Sequence, residues 1–303
     1  MNRMDSRVAI VGGSGFIGAH VAKGLAARGG HVTVFDLKPP QADIGASFRS
    51  LDITAKKDST DWNEFDAVVI AAGLLAGACA AQPRLAWEVN VAGTLRIIDA
   101  IQRSERPSRV VFLSSGMVYD ATAATPPFTE SAPVSARCAY RASKLTVESA
   151  LAVAAGGGSL RALVLRPFTV FGSGMSGIRG HLLGRWLELG KQGEPLTVYG
   201  SGDQVVDAVP VEYVAEASAA WLRDTSAPAF SVVNVTSGAP LRVARLAELM
   251  VQAGRAAGIV RLSANRPDES RGWGSISALR RLLARDLPAD PEYAVREFLS
   301  GAV

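Results

Sequence analysis

Val8-Ala9-Ile10-Val11-Gly12-Gly13-Ser14-Gly15-Phe16-Ile17-Gly18 is the stretch on which the fold turns. Its first four residues are apolar without alternation, as expected of a strand in a parallel sheet covered by helices on both faces. Glycine then punctuates the exit from the strand. Gly12 and Gly15 permit a tight turn and close approach of backbone to a ligand, and Gly18 lets the next helix lie close on the sheet. A helix starting at Phe16 directs unpaired N–H groups and the positive end of its dipole toward whatever sits over the loop, an arrangement suited to a pyrophosphate.

Outward from this loop, short β-branched runs alternate with helical patterns. The spacing predicts strands at Arg7–Val11, His31–Phe35, Phe48–Leu51, Ala67–Ala71, Arg109–Ser114 and Leu160–Leu165, with helices over Phe16–Arg28, Ala86–Arg103 and Ala139–Ala154. The run Ala67–Ala81 reads as a buried strand entering a loop, shorter than the roughly 18 apolar residues of a membrane span. After Arg166-Pro167 the rhythm changes. A glycine-rich loop at 172–180 is followed by a helix at His181–Lys191, a strand at Leu196–Tyr199, a helix at Val211–Leu222 and a strand at Ser231–Val235. Helices at Val243–Ala257, Ser275–Ala284 and Pro291–Leu299 complete the expectation. The architecture implied is α/β: a Rossmann-type doubly wound parallel sheet over 1–172, to which 203–236 returns, with a smaller C-terminal substrate-binding lobe from 173–202 and 237–303.

Asp36 closes the second strand, 18 residues after Gly18. A carboxylate there accepts hydrogen bonds from adenosine ribose hydroxyls and repels a 2′-phosphate, so the expected cofactor is NAD rather than NADP.

Composition narrows the field. Of 303 residues, 48% are apolar and 20% charged, which excludes disordered, collagen-like and disulfide-scaffold classes. The net charge of +4 comes from basic residues spread through every segment, not a stripe, so no nucleic-acid partner is expected. Cys79 and Cys138 match no metal or redox spacing and read as free thiols of a reducing cytoplasm. His20, His31 and His181 share no ligand spacing, so no metal is expected. The N-terminal residues before Val8 lack the apolar core of an export signal, and no membrane partner is expected. A serine hydrolase is disfavoured because Phe16 stands where a Gly-x-Ser-x-Gly elbow needs its second glycine.

Tyr140 and Lys144 stand at i and i+4 on the helix expected over Ala139–Ala154, which puts both on one face. An ammonium beside a phenol favours the phenolate, so the expected effect is a lowered Tyr140 pKa and a group able to act as acid or base. Ser114 and Ser115 end the strand that starts at Arg109, on the sheet edge where ligands bind in open α/β sheets.

With these motifs the chain resembles the extended short-chain dehydrogenase/reductases, and within them the NAD-dependent epimerase/dehydratase group. The resemblance rests on the glycine loop, Ser114-Ser115-Gly116-Met117-Val118-Tyr119, the Tyr140 and Lys144 pair, and Leu165-Arg166-Pro167-Phe168-Thr169-Val170-Phe171-Gly172. It continues through Asp52-Ile53, Ala71-Ala72-Gly73, Asn90-Val91-Ala92-Gly93-Thr94 and the block Tyr199 to Ala215. It implies catalysis by Ser115, Tyr140 and Lys144. It also implies NAD contacts from Gly12, Gly15, Phe16, Ile17, Gly18, Asp36, Asp52, Ile53, Ala71, Ala72, Gly73, Asn90, Ser114, Tyr140, Lys144 and Pro167. The activity implied is epimerisation of a nucleotide-activated sugar through a transient ketone, by a homodimer that pairs through the helices near Ala86–Arg103 and Ala139–Ala154.

Three departures bear on the substrate, for which Met117, Thr169 and Arg266 are the candidate contacts. Gly116-Met117 stands where family dehydratases carry Asp-Glu, and elimination of water needs that further acid and base. Thr169 replaces a frequent asparagine. Val206 replaces an arginine that often pairs with the substrate diphosphate, whereas Arg266 matches a second such arginine. The alternative expectation is therefore a net dehydrogenase or ketoreductase acting on a sugar acid or other small hydroxy compound without a nucleotide.

Overall fold

The computed structural model describes residues 6–56, 59–106, 108–175, 177, 181–263, 272–287 and 290–301. The chain opens with β1 (Arg7–Val11), α1 (Phe16–Ala26), β2 (His31–Asp36), β3 (Ser47–Ser50) and β4 (Ala67–Ile70). Next come α2 (Ala76–Ala81), α3 (Pro83–Ala86), a π-helical turn (Trp87–Gly93), α4 (Thr94–Gln102), β5 (Arg109–Leu113), α5 (Ala139–Gly156) and β6 (Arg161–Pro167). The later elements are β7 (Thr169–Phe171), α6 (Leu182–Lys191), β8 (Leu196–Tyr199), β9 (Val205–Val206), β10 (Ala208–Pro210) and α7 (Val211–Arg223). They end with β11 (Phe230–Val235), β12 (Leu241–Arg242), α8 (Val243–Gln252), β13 (Ile259–Leu262), α9 (Ser277–Leu283) and α10 (Pro291–Ser300).

Seven strands form the central sheet in the order β3-β2-β1-β4-β5-β6-β11. The strands from β3 to β6 pair in parallel, with Ile10 beside Val34 on one side and Val69 on the other. Chain order reverses between β1 and β4, so the carboxyl ends of β1, β4 and β5 border the crevice where such sheets bind ligands. The apolar runs read from the sequence are the sheet's interior: Val8, Ala9 and Ile10 are wholly buried, as are Val68, Val69, Val110 and Val111. Each buried valine or isoleucine contributes about 1.5–3 kcal/mol, which makes these strands the rigid part of the site. Phe35, Trp62 and Phe65 cluster with ring centroids 5.6–6.3 Å apart and join the same core.

Contacts divide the chain into two units. The first, Met1–Val118, Ser135–Arg166 and Glu212–Val233, holds most of the large sheet and α1 to α5. The second, Tyr119–Val134, Pro167–Val211 and Asn234–Val303, holds three two-stranded ribbons, β7 with β10, β9 with β12 and β8 with β13. Its centre is the buried Asp207, whose carboxylate accepts hydrogen bonds from Ser237 N (2.7 Å), Ser237 Oγ (2.6 Å), Gly274 N (3.0 Å) and the Thr236 hydroxyl. Burial pushes the Asp207 pKa up, and the hydroxyls of Ser237 and Thr236 oppose that shift. Nearby, Tyr119 stacks on Phe128 at 5.1 Å and donates its hydroxyl proton to Asn234 Oδ1 at 2.6 Å.

Three local expectations change. Ala76–Ala81 is a short helix, not a loop, because the small residues after β4 can close a turn. The helix expected over Ala86–Arg103 widens into a π-helical turn at Trp87–Gly93. A Cβ at Gly93 would lie 2.8 Å from Ile53 Cγ1 and 2.9 Å from Ile53 O, so the widened turn brings bare backbone against the Asp52-Ile53 loop. The helix expected to reach Ala257 stops at Gln252, where Gly254 turns with φ +67° and the chain enters β13.

Candidate active site

The end of β1 is shaped by missing side chains. Gly12 has φ +82°, and a Cβ there would sit 2.3 Å from Ala72 N. The chain leaving β4 is tied to the same place, since Ala71 N and Ala72 N both donate to Val11 O, at 2.8 and 2.9 Å. A Cβ on Gly18 would sit 2.2 Å from Gly12 O, so the first turn of α1 rests directly on the loop. Gly15, by contrast, faces space: an added Cβ would meet only Gly12 O, at 3.4 Å. Gly15 caps α1 with no side-chain hydrogen bond, and the first turn carries no acidic residue. The helix end thus offers uncapped N–H groups and an unopposed positive dipole to an anion, which fits a pyrophosphate.

Asp36 stands at the end of β2. Its carboxylate accepts hydrogen bonds from Ser14 N at 3.1 Å and Leu37 N at 2.8 Å, which fixes it at the rim of the glycine loop. Phe16 and Ile17 are half-buried in the first turn of α1, with Phe16 edge-on to His20. Asp52 is held by Thr54 N at 2.8 Å and Thr54 Oγ1 at 2.6 Å, bonds that keep its pKa below the usual carboxylate range.

Ser115, Tyr140 and Lys144 come together at the end of β5. All three are buried, at 8%, 7% and 6% exposure. The Ser115 hydroxyl is near enough to Tyr140 to draw its pKa down, and Ser115 Oγ accepts a hydrogen bond from Met117 N at 3.1 Å. Lys144 Nζ donates to Leu113 O at 2.8 Å and lies 5.8 Å from the Tyr140 ring centroid and 4.9 Å from that of Phe112. Burial pushes the Tyr140 phenol up, and the Ser115 hydroxyl draws it back. The expected lowering of Tyr140 is therefore outweighed by dehydration of its site. Burial also lowers Lys144 to about 8, with Cys79 and Glu148 opposing.

The rest of the first unit's site residues tie these two ends together. A Cβ at Gly73 would stand 3.5 Å from Lys144 Nζ and 3.2 Å from Asn90 Oδ1. Asn90, in the π-helical turn, accepts from Leu74 N at 2.6 Å and donates to Leu74 O at 3.1 Å and Ser143 Oγ at 3.2 Å. It thereby joins the loop after β4 to α5. Ser114 donates its side-chain proton to Glu148, which also holds Arg166. Neither Glu148 nor a role for Arg166 was singled out from sequence, although Glu148 stands two turns beyond Tyr140 on the same buried face.

Among the substrate candidates, Met117 is 36% exposed in the first unit, beside Ser115. Thr169 starts β7 in the second unit, where its N–H donates to Asp207 O at 2.9 Å, and Pro167 ends β6. Val206 is buried and pairs with Leu241. Arg266 lies outside the described residues. Among those that are described, no three His, Cys, Asp or Glu side chains gather as a metal site, and no helix is long and apolar enough to cross a membrane.

Residues 8–236 match the NAD dependent epimerase/dehydratase family. The chain is 28% identical over 261 residues to dTDP-6-deoxy-L-talose 4-dehydrogenase (NAD(P)(+)) of Kitasatospora kifunensis, covering 82% of this chain and 79% of that protein. It is 29% identical over 227 residues to UDP-glucose 4-epimerase of Streptomyces lividans, covering 70% and 68%. Its fold is shared with the UDP-glucuronic acid 4-epimerase of Bacillus cereus, solved with UDP-glucuronic acid and NAD. That match has a TM-score of 0.82 at 19% identity, over 97% of this chain and 98% of that one.

Proposed function

Because the chain belongs to the NAD-dependent epimerase/dehydratase family, we propose that it inverts one carbon of a nucleotide-activated sugar, using NAD reversibly. The observation that carries this reading is the buried Ser115, Tyr140 and Lys144 cluster at the end of β5, linked through Gly73 and Ala72 to the glycine loop. Bound NAD supplies a site that takes a hydride from carbon and returns it. The residues that would hold it are those of the cradle: Gly12, Gly15 and Gly18 at the pyrophosphate, Asp36 at the adenosine ribose, and Lys144 beside the nicotinamide ribose.

In this reading Ser115 orients the sugar hydroxyl with its Oγ, and Tyr140 takes the proton from that hydroxyl as the carbon loses its hydride. The Lys144 ammonium favours the phenolate across the short gap to the Tyr140 ring. When the ketone presents its other face, Tyr140 returns the proton. Met117 gives no carboxylate beside Ser115, which supports epimerisation over dehydration.

Incubation with NAD and a panel of UDP-, GDP- and dTDP-sugars tests the reading: an epimer without accumulating NADH is expected, and no product from any of them counts against it. A second reading, a net dehydrogenase acting on a sugar acid or other small hydroxy compound without a nucleotide, is favoured by Thr169 and Val206. For it, NADH would accumulate with a sugar acid and not with nucleotide sugars.

We also propose a cytoplasmic homodimer. Both cysteines are free thiols, which suits a reducing compartment. Leu85, Trp87 and Val153 are 40%, 44% and 77% exposed in α3, the π-helical turn and α5, and they offer apolar surface to a second copy. A mass of one chain by light scattering would exclude the dimer.

A further inference from the structure

Three consecutive residues at the end of β5 are gripped by three successive turns of α5. Leu113 O holds Lys144 Nζ at 2.8 Å, the Ser114 hydroxyl donates to Glu148, and the Ser115 hydroxyl acts on Tyr140, drawing its pKa down. Glu148 is 6% exposed, and its two oxygens are both taken by Arg166 of β6: Nε to Oε1 at 3.1 Å and Nη2 to Oε2 at 2.6 Å. Arg166 is 6% exposed as well. Ser114 N donates to Leu165 O at 2.8 Å, so the residue Glu148 clamps is also fixed to β6 through its backbone. A buried ion pair is an expensive device for stability alone, because desolvating both charges offsets most of their attraction.

We propose that Glu148, oriented by Arg166, is a positioning residue for the Tyr140–Lys144 pair: it locks Ser114, and with it the Leu113 carbonyl and Ser115 hydroxyl, and it keeps the Lys144 ammonium charged in a dry site. This deepens the catalytic reading above and rests on it. The groups facing Lys144 are Tyr140 and Glu148 on its own helix, Cys79 of α2, the Asn90 amide behind Gly73, and the Leu113 carbonyl. Of these, Glu148 is the one carboxyl group. Its attraction supports the ammonium, and burial alone would drive the proton off.

The test is the protonation of Lys144 in the NAD-loaded protein without substrate. It is followed by the carbon-13 shift of the lysine ε-carbon and assigned by the signal lost in Lys144→Met. Glu148→Gln removes the carboxylate whose attraction favours the Lys144 ammonium. Its titration midpoint should fall by about one pH unit or more, while NAD affinity stays within about threefold. Glu148→Asp, which keeps the charge, should hold the midpoint near that of the parent protein and still lower kcat, because the shorter side chain releases Ser114. Should Glu148→Gln fail to fold, Arg166→Met removes the cation that shares the Glu148 carboxylate and should move the midpoint up. An unchanged midpoint in the folded Glu148→Gln protein, or in Arg166→Met when that variant stands in, overturns the proposal. The measurement needs no sugar, so a protein that shows the shift but epimerises nothing contradicts the proposed function and leaves the positioning role standing.

Discussion

The two ends of the site are built on opposite plans. At the end of β1 the chain removes side chains: Gly12 lies where a Cβ would collide with Ala72 N, and Gly18 where one would collide with Gly12 O. At the end of β5 it packs polar side chains into the interior, with Ser114, Ser115, Tyr140, Lys144, Glu148 and Arg166 all under 9% exposed. The first end binds through backbone N–H groups that cost nothing to orient once the strand and helix are formed. The second works through groups whose proton affinities are set by burial and by one another. The first should therefore fail when an atom is added, and the second when a charge or proton is taken away.

The largest effect expected is at the charged end. Tyr140→Phe deletes a single oxygen and should reduce kcat by about 10²–10⁴-fold, the range of a general acid–base group. NAD affinity, read by quenching of protein fluorescence, should remain close to that of the parent. Comparable turnover in this variant would break the contrast, since the buried polar cluster would then be packing alone.

Lys144→Met sharpens it further, by opposite changes in activity and stability. Burial holds Lys144 at about 8, below its ordinary 10.5. Between those values the unfolded chain binds a proton that the folded chain does not, so folding stability rises with pH across that window. The burden of the buried ammonium is fully present below about pH 8. Replacing the amine by an apolar side chain should lower kcat by about 10²-fold and raise the melting temperature at neutral pH. That gain in melting temperature should shrink as pH climbs past 8. In the parent enzyme the same ionisation should give kcat an alkaline limb near pH 8, absent from the variant.

At the glycine end, Gly18→Ala adds one methyl at 2.2 Å from Gly12 O, against backbone that cannot step aside. The expected cost is about 1–3 kcal/mol of stability, seen as a lower melting temperature, together with weakened NAD binding. A variant as stable as the parent would show that the loop and helix are less tightly docked than the contact implies. The smallest effect belongs to Asp36→Ala. It should shift cofactor preference toward NADP by about tenfold, one charged hydrogen bond's worth, with little change in kcat on NAD.

The same contrast explains what was legible in the sequence. The glycine end is written in contiguous residues, and a strand, three spaced glycines and a helix start give both the fold and the ligand class. The parallel sheet follows from runs such as Val8 to Val11 and Val110 to Leu113. The charged end is legible only where its spacing is local: Tyr140 and Lys144 are one turn apart, but Glu148 meets Arg166 across 18 residues and Ser114 across 34. No periodicity announces such a pairing, and a glutamate on a helix reads as surface until its partner is seen. The π-helical turn at Trp87–Gly93 was illegible for a related reason, because the residue its Gly93 packs against, Ile53, is far away in sequence. Burial of Tyr140 could not be weighed from spacing either, which is why its pKa moves opposite to expectation.

In the proposed reaction one hydride leaves a sugar carbon and comes back to it without leaving the protein. Sugars of the nucleotide-linked panel carrying deuterium at the carbon that inverts test it most directly. Incubation with the NAD-loaded protein should give an epimer that retains the deuterium at the inverted carbon, with no NADH released and none of this chemistry in Tyr140→Phe. Loss of the label to solvent, or NADH accumulating in step with a ketone product, would contradict it.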